Sequence, residues 1–426
     1  MERRGVSLNL NVRGLRHSAT LAVNDTVRRL RASGRPVYNM GLGESPFPVP
    51  AGVVASLRQH AHEKAYLPVQ GLPALRQAVA EYMQRTQRLP ANADDVLIGP
   101  GSKELLFLLQ LSFYGDIIVP SPCWVSYTPQ AQILGRRVNV VDTRPDDWKV
   151  TPDLLAAVLA QDADKYRPRI FVLNYPANPT GVSYTDAELR ALAAVAREFE
   201  VIILADEIYS GLRHDGEHVS IARHYPEGTI VLDGISKWPG AGGWRLGAFV
   251  FPPELEWLRD TMAAVASETY TSVCTPVQHA AVQAFAGGAE MERVLAAQRS
   301  ILAALTSHAH AMLRGAGVRV ARPDGAYYLF PDFTQFRRRL SRRHLHTGVE
   351  FCQRVLEDTG VAMLPGSAFQ RPRGEATARM SLVDFDGGAA LTALGRGARP
   401  DEAWLRQHAP RAMQGLDVLV AWLQKR

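Results

Sequence analysis

Seven short apolar runs, most of them separated by helix-length stretches, constrain this chain more than any other feature: Val96–Ile98, Ile117–Val119, Val138–Val141, Ile170–Leu173, Val201–Leu204, Ile230–Leu232 and Ala248–Phe251. A strand with one wet face alternates apolar and polar residues, whereas a run without alternation is buried on both faces. Strands of the second kind, interleaved with helices, build a mainly parallel sheet covered on both sides. The fold class is therefore α/β, a large domain whose mainly parallel seven-stranded sheet is flanked by helices.

The chain has 426 residues, and single cores rarely grow beyond roughly 250–300 residues, so a second, smaller domain is expected. After Gly287-Gly288 a helical stretch runs from about Met291 to Leu313. Short runs near Tyr327–Phe330, Ala362–Leu364 and Ala378–Leu382 then predict a smaller α/β domain. At the other end, Leu21–Ala32 has helical spacing and Tyr38–Gly43 reads as a short extended piece, together an N-terminal arm. Pro73 is well placed to open a helix reaching Arg85.

In sheets of this kind ligands bind beyond the carboxyl ends of the strands, so polar residues directly after the apolar runs are the candidates for chemistry. Gly99-Pro-Gly-Ser-Lys-Glu104 follows the first run and leads into a helix predicted over Leu105–Leu111. Its free N–H groups and the helix dipole suit a phosphate, although a plain turn explains it as readily. Asn174-Tyr-Pro-Ala-Asn-Pro-Thr-Gly181 fixes a turn that aims Asn178 at the same rim. Ala205-Asp-Glu-Ile-Tyr209 leaves Asp206 and Tyr209 there too. In Asp233-Gly-Ile-Ser-Lys-Trp-Pro-Gly-Ala-Gly-Gly-Trp-Arg-Leu-Gly247, Lys237 follows a strand and Arg245 comes eight residues later among glycines. A lysine desolvated beside other cations loses proton affinity and becomes a nucleophile toward aldehydes, and a guanidinium offers a fork to phosphate.

Composition narrows the field further. The charge of +6, from 48 Lys and Arg against 42 Asp and Glu, suits small anions without calling for nucleic acid. The densest basic run, Phe336–His344, has five arginines without interleaved aromatics for base stacking and reads as an exposed insertion. Cys123, Cys274 and Cys352 have no metal-ligand spacing and are odd in number, so no metal site or disulfide framework is expected and a reducing cytoplasm fits. No 18-residue apolar stretch and no apolar leader near Met1 predict a membrane span or secretion.

Taken in order and spacing, Asn-Pro-Thr-Gly (178–181), Asp-Glu-Ile-Tyr (206–209), Ser236-Lys237 and Gly-Trp-Arg-Leu-Gly (243–247) resemble the fold-type-I pyridoxal-5'-phosphate (PLP) enzymes of aminotransferase class I/II. Ser18–Asn24, Gly43-Glu44, Tyr66 with Gly71–Arg76, and Pro122–Tyr127 are most similar to bacterial aspartate aminotransferases. The resemblance covers nearly the whole chain. It implies an N-terminal arm and part of the small domain in residues 1–50, a PLP-binding domain in 51–313 and a C-terminal small domain in 314–426.

The resemblance also implies roles. Lys237 would form the Schiff base and shuttle the proton, and Asp206 would pair with the pyridinium nitrogen. Tyr209 and Asn178 would bond the phenolic oxygen, with Trp124 stacked on the ring. Arg245, the backbone of Ser102 and Lys103, Ser236, and Tyr66 from a partner subunit would hold the phosphate, which makes the enzyme a homodimer. Arg379 would clamp the substrate α-carboxylate, with Gly43 touching it through backbone, and Trp124 and Asn178 would also face the substrate.

Two positions depart from the aspartate pattern. Cys123 stands where tyrosine is usual, and Leu105–Gly115 is shortened and carries no lysine for a distal carboxylate. The resemblance implies amino-group exchange between an L-amino acid and a 2-oxo acid. The competing reading is elimination, replacement or cyclisation at Cβ or Cγ on the same scaffold, similar to 1-aminocyclopropane-carboxylate synthase.

Overall fold

The computed structural model describes residues 8–15, 19–161, 164, 166–394 and 400–425. Ser18 and residues 1–7 lie outside that set. The first strand, β1 (Tyr38–Asn39), belongs to a smaller unit. The next seven form one sheet: β2 (Val96–Gly99), β3 (Asp116–Ser121), β4 (Val138–Asp142), β5 (Arg169–Asn174), β6 (Ile202–Asp206), β7 (Thr229–Gly234) and β8 (Gly247–Val250), in the order β2-β8-β7-β6-β5-β3-β4. Each apolar run supplies one strand. Every residue of β2, β5, β7 and β8 is buried, as runs without alternation require. Only the edge strand β4 is half open, and it leaves Val140 exposed.

Topology decides where the chemistry goes. The chain winds outward from β3 to β4 and then returns to the other side of β3 as β5, so winding reverses between β3 and β5 and leaves a crevice at their carboxyl ends. β8 is the one strand antiparallel to its neighbours, β2 and β7. Its beginning therefore lies at the rim where the others end. Arg245, two residues ahead of β8, thus arrives beside Lys237, three residues beyond β7.

The register puts three glycines side by side at this rim, since Gly247 on β8 faces Gly99 on β2 and Gly234 on β7. A Cβ on Gly247 would come within 2.4 Å of the Ser102 backbone nitrogen. Its absence lets the helix Ser102–Ser112 begin directly on the sheet.

The smaller unit has its own core around Phe333, Phe351, Leu416 and Trp422. Its strands are β9 (Tyr328–Leu329), β10 (Val361–Ala362), β11 (Leu364–Pro365) and β12 (Ala378–Ser381). β11, β12 and β9 form an antiparallel sheet, and β1 pairs in parallel with β10. The long helix Ala289–Gly315 joins the two units: Ile301 and Leu302 pack in the large core, Leu305, Ala309 and Leu313 in the small one. Ser381 N donates to Met40 O at 2.8 Å, which lays the segment after β1 alongside β12.

Two expectations change. The helix expected to begin at Leu105 begins at Ser102, because its polar first turn carries no apolar periodicity. The helix opened by Pro73 closes at Tyr82 and widens into a π-type turn over Met83–Gln87. The basic run, exposed at Arg337, Arg338 and Arg342 as expected, forms a short helix, Arg337–Arg342. Leu340 is buried, Arg339 donates to Leu423 O, and the Arg343 guanidinium lies 4.9 Å from the Trp422 ring.

Candidate active site

A cavity of about 400 Å³ opens at the carboxyl ends of the sheet, lined among others by Ser102, Lys103, Trp124, Asn178, Asp206, Tyr209, Ser236, Lys237 and Arg245. An adjoining space of about 260 Å³ shares Lys103, Trp124, Asn178 and Lys237 and adds Gly43, Glu44, Tyr328 and Arg379. The two spaces thus gather every candidate residue from the sequence except Tyr66. That side chain is 87% exposed and lines neither.

At one end the site is made for an anion. The helix Ser102–Ser112 points its first N–H groups into the cavity, and Gly101 takes φ +88°, a conformation that favours glycine. A Cβ at Gly101 would come within 2.1 Å of Arg245 Nη2, so the guanidinium packs directly over backbone. Arg245 itself is left-handed, with φ 60°, and donates to Gly242 O at 2.6 Å. Ser102 Oγ is buried with no hydrogen-bond partner. A buried hydroxyl, free amides and a guanidinium that meet at one place form a donor set with no acceptor of matching charge, which is the chemistry a phosphate supplies.

In the middle lie Asp206 and Lys237. Asp206 closes β6 at 5% exposure, and its carboxylate accepts from Tyr127 Oη and, at 3.3 Å, from Ile208 N. Burial pushes its pKa up to about 6, against the lowering effect of the Tyr127 bond. Beneath it, Glu207 is 1% exposed and accepts from Tyr175 Oη at 2.8 Å and Ser220 Oγ at 2.6 Å, with His218 Nε2 at 3.0 Å. Lys237 Nζ donates to Gly43 O at 2.7 Å, and Tyr327 Oη donates to the same oxygen at 3.0 Å. Desolvation draws the Lys237 ammonium below its usual range; Arg379 adds to this, while Tyr328, Asp206 and Glu44 oppose it. The lysine is thereby brought nearer the neutral, nucleophilic form.

The far end comes from the small core. Arg379 on β12 is 2% exposed, donating from Nη1 to Asn178 Oδ1 at 3.1 Å and from Nη2 to Gly41 O at 2.7 Å. The Tyr328 ring lies 4.8 Å and the Phe369 ring 5.1 Å from its guanidinium. Its Nε has no partner, and the two oxygens it does meet are uncharged. A buried cation with neutral partners is costly unless an anion completes it. Gly43 is packed so closely that a Cβ would meet Tyr328 Oη at 2.8 Å and Arg379 Nη1 at 3.6 Å. Tyr209 Oη lies 2.8 Å from Tyr328 Oη, which ties the β6 loop to β9.

Sequence reasoning missed several of these residues. Tyr327 and Tyr328 carry no local signal for the site, whereas Tyr127 and Glu207 lie in segments already singled out but acquire their roles only through contacts with distant parts of the chain. Lys103 was read for its backbone alone. Its side chain lines both spaces and lies 5.2 Å from the Trp124 ring, and burial, Arg245 and Lys237 together lower its pKa. A lysine thus stands in the site two residues ahead of the segment Leu105–Gly115, which carries none.

Comparison with known proteins agrees with this geometry. The family model for aminotransferase class I and II matches residues 6–384. The aspartate aminotransferase of Geobacillus stearothermophilus is 32% identical over 86% of this chain and 93% of its own. The aspartate/prephenate aminotransferase of Cereibacter sphaeroides is 32% identical over 83% and 89%. Among solved structures, the aspartate aminotransferase from Thermus thermophilus with maleate superposes with a TM-score of 0.82 at 28% identity, covering 97% of this chain and 99% of that one. Among the described residues no helix is long and apolar enough to cross a membrane. The chain belongs to the aminotransferase class I and II family, and it is a PLP-dependent amino-group transferase of the fold-type-I architecture.

Proposed function

We propose that this enzyme exchanges amino groups between an acidic L-amino acid and a 2-oxo acid, with Lys237 as the covalent and proton-transferring residue. The observation that carries the reading is the convergence of three parts on one cavity: Lys237 and Asp206 from adjacent strand ends, and a buried Arg379 that lacks an anionic partner. PLP, when bound, supplies an electron sink that stabilises negative charge at the substrate Cα. The protein's residues do the rest. Asp206, in its ionised form, would hold a proton on the ring nitrogen, and Tyr127 keeps that carboxylate oriented. Asn178 and Tyr209 would bond the phenolic oxygen, and Trp124 would stack on the ring. Arg245, Ser102 and Lys103 through their amides, and Ser236 would take the phosphate.

Arg379 and the Gly43 backbone orient the α-carboxylate. Lys237, desolvated and bonded to Gly43 O, would hold and move the proton at its Nζ. Lys103 gives an acidic side chain its counter-charge at the cavity mouth. Tyr66 of the partner subunit completes the phosphate site, a role supported by its 87% exposure and by its not lining its own chain's cavity. We therefore read the enzyme as a homodimer, with domain limits at residues 50 and 313. A cytoplasmic setting fits its three free thiols.

The test is a half-reaction. Purified holoenzyme is mixed with aspartate, glutamate or neutral amino acids while the cofactor's absorbance is followed. Conversion of the cofactor to its amine form, fastest with the acidic pair and reversed by a 2-oxo acid, is the expected outcome. Release of a leaving group without that reversal would overturn it.

A further inference from the structure

We propose that Arg371 is a positioning residue for substrate binding, fastening the ring-stacking Trp124 to the carboxylate clamp Arg379 across the boundary between the two cores. The inference rests on the roles assigned above to those two residues.

The Arg371 side chain is 1% exposed. It follows the turn Gly366–Phe369 in the small unit, and its contacts reach in two directions. Toward its own unit, Nε and Nη2 donate to Glu375 at 2.9 and 2.8 Å. Toward the large sheet, Nη1 donates to Ser121 O and Ser121 Oγ, both at 3.2 Å, and to the Asp142 carboxylate. Ser121 closes β3 and Asp142 closes β4, so one guanidinium joins two strand ends of the large sheet to a small-unit loop.

Two further hydrogen bonds continue the seam on both sides of it. Ser121 Oγ donates to Gln370 O at 2.9 Å, and Cys123 N donates to Phe369 O at 3.2 Å. Trp124 is the next residue in the chain. Phe369, fully buried, holds its ring against the Arg379 guanidinium. Arg371 is therefore linked to the stacking platform through Ser121 and Cys123 on one side and to the clamp through Phe369 on the other. Its fork geometry is what allows five oxygens on three elements to be met at once, which an ammonium cannot do.

Arg144 provides an internal control. It also crosses the boundary, donating to Asp332 at 2.7 Å and to Glu375 at 3.4 Å, and these side-chain bonds reach neither Ser121 nor the Phe369 turn. Both arginines would contribute to holding the units together. Arg371 alone of the two would set the spacing between Trp124 and Arg379, and that spacing governs how tightly the amino acid binds.

The experiment compares holoenzymes of the wild type, R371Q, R371K and R144Q by steady-state kinetics, cofactor titration and thermal unfolding, with R379M as a reference. R371Q is expected to raise KM for the amino acid about tenfold while kcat falls less than about threefold, since a misplaced clamp removes uniform binding. Its cofactor Kd is expected to stay within about twofold of wild type, as Arg371 does not touch the phosphate end. R144Q lowers Tm without moving KM. R371K recovers Tm more than KM.

A KM for R371Q within twofold of wild type, or an equal rise in R144Q, overturns the proposal. If R371Q does not fold, R371K decides: a KM raised about fivefold supports the role, and an unchanged one refutes it. If R379M itself leaves KM unchanged, the assignment of the clamp is what fails, a result separable from normal R371Q kinetics beside a crippled R379M.

Discussion

Arg245 and Arg379 sit at opposite ends of the same cavity and have been treated very differently by the fold. Arg245 is exposed, strained into the left-handed region and bonded to a single carbonyl. Arg379 is 2% exposed, with Asn178, Gly41, Tyr328 and Phe369 already around it. The phosphate end is thus a cradle whose rigidity lies in the backbone, in the start of a helix and a row of glycines. The carboxylate end is a side chain locked by other side chains. A cradle of amides tolerates the loss of one donor, whereas a locked cation has no substitute.

This contrast is sharpest in substitution. R379M is expected to lower kcat/KM for amino acids by roughly 10²–10³-fold, the effect of deleting one partner of a buried charge-assisted pair, with cofactor affinity unchanged. Weaker cofactor binding accompanied by normal kcat/KM would break the division of labour between the two ends.

Asp206 tests the ground between them. Its carboxyl is raised from 3.8 to about 6 by burial in the cofactor-free protein. A raised folded-state pKa means extra protons bound by the native form, so the contribution is fully present below the unfolded pKa. It is lost as pH rises through about 6. Cofactor-free D206N lacks this loss and is expected to be more stable than wild type at pH 8 by at most about 3 kcal/mol. It should also bind the cofactor more weakly. Urea unfolding at pH 4 and pH 8 decides, since a gap between the two proteins that does not grow with pH removes the basis for an ionised carboxylate placed at a cost.

The smallest effect is expected from Tyr127→Phe. Loss of one hydrogen bond to a charged acceptor costs about 1.5–3 kcal/mol at full strength. Ile208 N still serves Asp206, so the lower figure, roughly tenfold in cofactor affinity, is the expectation. Spectroscopic titration of the cofactor-free protein measures it, and an unchanged affinity would place Tyr127 among the packing residues.

How much of this was legible in the sequence follows the same divide. The cofactor end was largely readable, because its residues sit directly after apolar runs and the rim of a parallel sheet is a predictable place. Asn178, Asp206, Lys237 and Arg245 all lie there. The substrate end was not readable from local pattern, since Arg379, Gly43, Tyr327 and Tyr328 meet only when β12, the segment after β1, and β9 assemble. Arg379 and Gly43 were found by resemblance, and the two tyrosines not at all. Strand ends were also underestimated: Asp116, Asp206 and Asp233 continue their ladders although nothing apolar marks them. Lys103 went unread because its first-turn position drew attention to the amide and away from the side chain.

The glycine row across β2, β8 and β7 limits how this site can drift. A Cβ at Gly234 would meet Leu246 O at 2.9 Å, and one on Gly99 would meet Leu105 at 2.5 Å. The three positions share a single strip of space, so acquiring a side chain at one demands a shift of its neighbour strand or of the helix start. Variation along this strip is expected to be correlated rather than independent, and a serine grafted at 234 alone would arrive without the backbone that accommodates it.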